Sequence, residues 1–411
     1  IWFIRPLAEN KDNGIAGLLV VTQMGISASF VAGRADHQSL ILLLFILSLG
    51  IGLRLLMSGF NARTCYLAAL VASLAIWVSV ESILFPLVMV AAFGLFWVSG
   101  HTSLQRTLTY FSVSLVFFLG IFRLLEFGPS RFLEPTLDQL SIAYVTLFGL
   151  VALYWVLVTL YSHYRGVEQG LAFKITSALA WSALMVGLMH SCFPGFFAGP
   201  MSNVDELFRQ VHLAKIKELQ PSISIKALTG DNWLTAFSKS FLWVGIILPG
   251  IPLLIARILR TRGSIRLCWG FIGILGLVYI PLSVMELRWA PYTATLMLPA
   301  YIWLIIILMQ QATDTFRGSM AGLTRIGILV GSVVIFALPT VLFSEEEEEG
   351  NTKTAECPVI PISEYLSDPT VFGQTLHNLL AFTDFGPELL YRTPHSIYSI
   401  PSHRPHSGFN D

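Results

Sequence analysis

The chain has 411 residues, of which 55% are apolar and only 12% charged, and its mean hydropathy is +0.70. Soluble domains run at about 25% charged, so this composition excludes a water-soluble globule of the same length. Lys and Arg together number 25 and so do Asp and Glu, a neutral balance that offers nothing to a nucleic-acid backbone.

Taking about 20 apolar residues per crossing, the apolar runs predict about eleven spans, at about 14–33, 37–57, 62–81, 84–100, 107–126, 141–162, 175–195, 238–258, 265–284, 289–309 and 323–343. The chain opens Ile1-Trp-Phe-Ile without an initiator Met or a signal-peptide pattern, which reads as a start inside a longer protein. Lys and Arg are retained on the cytoplasmic side of short loops. Arg5 and Lys11, Arg54 and Arg63, Arg106, Arg165 and Lys174, Arg257 to Arg266, and Arg317 and Arg325 fall in alternate loops. The other loops are expected outside, including the turn from Trp77 to Glu81, the long loop over 198–233 and the Glu286/Arg288 turn. The expectation is an all-α polytopic membrane protein with a transmembrane domain over 1–343 and a short extracytoplasmic tail over 344–411, the start of a soluble α/β domain. After the acidic run from Glu345 to Glu349, a solvated linker, the pattern of the tail predicts one helix from Gln374 followed by two short strands. The alternate basic loops and short tail read as those of a bacterial inner-membrane protein.

Three outward places hold polar residues in apolar company. Asp36-His37-Gln38 opens a membrane helix; the Asp can cap the helix, or with the imidazole it can hold a divalent cation. Lys215-Ile-Lys-Glu218-Leu-Gln-Pro221 lies in the longest outer loop, where a solvated amphipathic segment is the plain alternative. Phe382-Thr-Asp384-Phe385-Gly386 in the tail reads by itself as a turn. Arg288 stands at the outer end of a span, where it either snorkels to the interface, with Glu286 in reach, or serves function. Cys65, Cys192, Cys268 and Cys357 show no CxxC spacing, so no metal-thiolate site is implied. Cys192 and Cys357 fall on the expected outer face, either as a disulfide or as two thiols.

In order and topology these elements resemble the catalytic subunits of oligosaccharyltransferases, membrane glycosyltransferases of the GT-C class. Val31-Ala32-Gly33-Arg34-Ala35-Asp36-His37-Gln38 is similar to the family's Val-Ala-Gly-x-x-Asp-x-acid element, with Gln38 at the second acid. Lys215-Ile216-Lys217-Glu218-Leu219-Gln220-Pro221 is similar to its outer-loop Thr-Ile-x-Glu or Ser-Val-Ser-Glu-x-Gln-Pro element, with Lys215 replacing the Thr or Ser. Phe382 to Gly386 keeps the Asp and Gly of its Trp-Trp-Asp-Tyr-Gly element. Family members have about thirteen spans, so eleven would remain if the first two, with their metal-binding carboxylate, lay outside this chain.

The resemblance implies a GT-C-like bundle that transfers a sugar or oligosaccharide from a polyprenyl-(pyro)phosphate donor to a protein or glycan acceptor on the extracytoplasmic face. It implies catalysis at Asp36 and Glu218, a Mg or Mn ion on Asp36, Glu218 and His37, donor phosphate on Arg288, and acceptor on Asp384, Phe385 and Gly386. Two other readings compete: a transporter or flippase, which needs ionisable residues near mid-span, and a non-catalytic GT-C-fold protein that binds lipid carriers. The acids here collect at helix ends and in loops, which favours an enzyme.

Overall fold

The computed structural model describes residues 2–7, 13–30, 37–166, 169–199, 216–223, 229, 233–343, 359–373, 375–381 and 386–398. They divide into two compact units, one formed by the described residues up to 343 and the other by those from 359 onward.

The first unit is a bundle of helices. In chain order these are α1 (Asn13–Thr22), α2 (Met24–Ser27), α3 (Gln38–Ser58), α4 (Ala62–Val78), α5 (Leu84–Val98), α6 (Leu104–Phe127), α7 (Ile142–Arg165), α8 (Leu171–Cys192), α9 (Trp233–Val244), α10 (Ile247–Arg260), α11 (Gly263–Met285), α12 (Ala290–Thr315), α13 (Ser319–Val334) and α14 (Leu338–Phe343). Among the described residues, seven helical segments are long and apolar enough to cross a membrane, or eight if the bent pair α9–α10 is one span. The expected count of about eleven is therefore not confirmed by length and composition. The apolar runs are all there as helices, but three are cut short.

Each shortfall has a local cause. The first predicted span breaks at Gln23, which is extended and buried between α1 and α2. A Cβ on Gly25 would lie 3.0 Å from the Trp243 carbonyl oxygen and 3.3 Å from Ala294 Cβ, so glycine lets α2 press its backbone against α9 and α12. The run from 62 yields α4, 17 residues long, capped by the Asn61 side chain and ended by extended Ser79. The last run stops at Ile335 and restarts as α14. There Pro339 lacks the N–H that would bond the Ile335 carbonyl and crowds that oxygen. The same rule places the 43° bend between α9 and α10, because Pro249 opposes the carbonyl of Gly245.

At the centre, α12 packs against α3, α9, α10, α11 and α13. Buried over 67% of its apolar window, as α3 is, it contrasts with α8, buried over 6%. The corner between α6 and α7 is held by Arg123, which is fully buried. Its guanidinium donates to the carbonyls of Arg131 (2.7 Å), Leu140 (3.0 Å), Glu134 (3.2 Å) and Phe132 (3.4 Å) and stacks 3.9 Å from the Phe127 ring centroid.

In the second unit, α15 (Val359–Ser367) and α16 (Pro369–Phe372) precede β1 (Asn378–Leu380), α17 (Gly386–Arg392) and β2 (Ser396–Tyr398). The strands pair in parallel, Leu379 opposite Ile397, with α17 as the crossover. This corrects the order predicted for the tail: the segment from Gln374 gives a strand, and the helix lies over Glu388–Tyr391. Pro387 suits the first turn of a helix, and Glu388 bonds Arg392 one turn on at 2.9 Å.

Candidate functional site at one end of the bundle

The site is built on a floor of aromatic rings. Phe45 of α3 meets Phe85, Tyr279 and Tyr292 edge-on at 5.3, 5.3 and 5.0 Å, and Trp289 stands 5.9 Å from Tyr279 and 5.5 Å from Tyr292. Large rings from four helices and the turn before α12 lock one another and fix the helix ends that carry the polar residues.

Above the floor, Arg288 is gripped by two carboxylates. It donates through Nε to Glu286 Oε2 at 2.6 Å and through Nη1 to Glu81 Oε1, and the Trp289 indole N–H bonds the same Glu286 oxygen at 3.0 Å. The side chains of Arg288, Glu81 and Glu286 are 20%, 24% and 33% exposed, so the cluster is sheltered from water on most sides. Glu81 comes from the 3-10 turn Val80–Ile83 that leads into α5, and Arg288 from the 3-10 turn Leu287–Trp289 that leads into α12. His37, at the start of α3, is near enough to Glu81 to interact with it electrostatically.

Glu218 arrives at the same place. Its 3-10 turn, Lys217–Leu219, packs against the Leu287–Trp289 turn. The Leu287 N–H donates to the Gln220 carbonyl at 2.9 Å, and the Ser222 hydroxyl donates to the Ser283 carbonyl. The segment 218–222 is thus tied to the end of α11 and to the turn that carries Arg288.

Of the residues singled out by sequence, His37, Glu218 and Arg288 therefore lie at one end of the bundle. Asp36, Asp384 and Phe385 lie outside the described residues, and Gly386 opens α17 in the second unit, where it is buried. Glu286, the snorkelling partner weighed for Arg288, is bonded to it. Glu81 was not singled out: a lone acid between two apolar runs carries no spacing signal, and its one mark is being an acid at the mouth of an apolar helix. Cys192 is an exposed thiol, and Cys357 lies outside the described residues. Among the described residues no group of three His, Cys, Asp or Glu side chains could hold a metal ion. Glu81 and Glu286 are both bonded to Arg288, and His37 and Glu218 at the same end are of donor types that divalent cations take.

Fold and composition define an all-α integral membrane protein of several spans. No protein-family model and no curated protein sequence matches the chain. Its fold matches solved structures of an oligosaccharyltransferase of the archaeon Archaeoglobus fulgidus. With the apo crystal structure the TM-score is 0.64 at 12% identity, over 97% of this chain and 51% of that one. With the oligosaccharyltransferase AglB of the same archaeon, in complex with an inhibitory peptide and a dolichol-phosphate, the TM-score is 0.62 at 11% identity, again over 97% and 51%. With the form tethered to an acceptor peptide containing the NVT sequon, it is 0.60 at 11% identity over 98% and 51%. The chain spans about half the length of these structures and resembles them in fold.

Proposed function

We propose that this chain is the membrane domain, with the start of a soluble domain, of a GT-C-type glycosyltransferase of the oligosaccharyltransferase kind. It takes a sugar or oligosaccharide from a polyprenyl-(pyro)phosphate carrier and passes it to a protein or glycan acceptor on the extracytoplasmic face. The observation that supports this best is the bond from Leu287 to Gln220, which joins the Glu218 turn to the Arg288 turn. Those two elements are the ones that resemble the family's outer-loop carboxylate and its phosphate-binding arginine. The archaeal structures bind dolichol-phosphate and peptides, and the same ligand classes are proposed here.

Arg288 spends one Nη1 bond on Glu81 and its Nε on Glu286; among the described residues the rest of the fork would serve a phosphate, oriented in advance. Asp36, Glu218 and His37 would hold Mg²⁺ or Mn²⁺. Such an ion, when bound, polarises the donor phosphate and neutralises charge on the leaving group. Asp384, Phe385 and Gly386 would meet the acceptor.

The test is turnover of a lipid-linked sugar by the full-length protein with and without divalent cations. D36N and E218Q are each expected to lower turnover by roughly a hundredfold or more. R288K is expected to raise the apparent donor KM, since a point charge cannot replace a fork. Full activity in D36N and E218Q would overturn the assignment. A second reading, a lipid-carrier-binding relative without catalysis, is favoured by the two carboxylates already balanced on Arg288. Binding of the lipid-linked sugar without turnover would select it.

A further inference from the structure

Between the ends of α5, α6, α7 and α8, opposite the candidate site, lies a second polar cavity of about 360 Å³. Of the 22 residues of α8 only Lys174 and Met189 are buried. The helix therefore meets the bundle at this end through a lysine, 5% exposed. A lysine in the first turn of a membrane helix ordinarily extends its ammonium to the interface. Here the ammonium turns inward, donating to the Trp97 carbonyl at 3.0 Å and lying 5.0 Å from the Trp97 ring centroid.

The rest of the lining is satisfied within itself. The Gln105 amide donates to Thr159 (3.3 Å) and Ser162 (3.0 Å), its oxygen accepts from the Trp97 indole (3.3 Å), and the Gln169 amide donates to the Val158 carbonyl (3.1 Å). These groups are neutral, and His163 is the other titratable side chain in the lining. Among the described residues no carboxylate lines the cavity. An ammonium has three N–H donors, and Trp97 accepts from one of them. A buried cation without an acid is costly unless an anion completes it.

We propose that this cavity is a binding site for a phosphate-bearing anion, with Lys174 as its charged contact. The proposal does not rest on the function proposed above, whose site is at the other end of the bundle. The headgroup of an anionic phospholipid and a free phosphate share the required chemistry. The lipid is favoured by an adjoining groove of about 670 Å³ between α7 and α8, lined by Leu157, Tyr161, Phe173 and Leu184, where an acyl chain finds apolar walls.

The full chain is reconstituted in phosphatidylcholine nanodiscs with and without phosphatidylglycerol, and retained lipid is counted by native mass spectrometry. In a parallel arm, inorganic phosphate is added to the detergent-solubilised protein and Tm is measured. Wild type and K174R are expected to retain phosphatidylglycerol at least about tenfold better than K174M. T102W, which sets an indole into the lining and leaves Lys174 in place, should lose it too and covers the case in which K174M does not fold. Retention without a phosphate-induced rise in Tm assigns a lipid headgroup, and a rise in wild type that K174M lacks assigns a soluble anion. Equal retention in wild type, K174M and T102W, with no effect of phosphate, overturns the proposal. So does binding that emerges only in E168Q, since Glu168, outside the described residues, would then be the counter-ion.

Discussion

Arg123 and Arg288 show the same residue type used in two ways. Among the described residues Arg123 donates to carbonyl oxygens and stacks on Phe127, so its charge holds the 128–141 corner. R123M would leave four acceptors without their donor, and the expected loss is roughly 3 kcal/mol, given 1.5–3 kcal/mol for a bond to a charged group and limited additivity. Thermal unfolding in detergent, with proteolysis at the corner, checks this; an unchanged Tm would mean the corner stands without it. Arg288 instead donates to two carboxylates. His37, Glu218 and Arg288 were legible in the sequence because each stands in a motif or at a span end. Glu81 was not, because its role exists only when Arg288, far along the chain, folds against it.

At the scale of elements, apolar runs located the helices but not their interruptions. Hydropathy is blind to backbone geometry, so the breaks at Gly245 and Ile335 are written only in Pro249 and Pro339, four residues downstream. The break at Gln23 has no proline and depends on how closely α2 approaches α9 and α12. G25V is therefore expected to destabilise by about 1–3 kcal/mol through overpacking, whereas G14V, where an added Cβ meets nothing within 4 Å, should be nearly neutral. Paired thermal melts decide it, and equal losses would refute the close-approach account. The tail was misread for a different reason: β1 and β2 have three residues each, too few to display a period.

For the whole molecule, the alternating basic loops predict that Arg257 to Arg266 are cytoplasmic and the segment after Ser344 is outside. A cysteine at Glu347 should react with an impermeant reagent in intact cells and one at Gly263 should not; the reverse pattern would invert the orientation. The uneven burial of the helices has a consequence for how the sequence can drift. Lipid tails accept any apolar side chain, so along α8, beyond Lys174 and Met189, one hydrophobic residue should serve as well as another. Along α12 most side chains from Ala290 to Ile305 are buried among neighbours. A library exchanging Leu, Ile, Val and Phe at every position should pass through α8 with little loss of folded protein and fail along most of α12. The helix that contributes least to the packing would then be the one whose letters carry the least information about the fold.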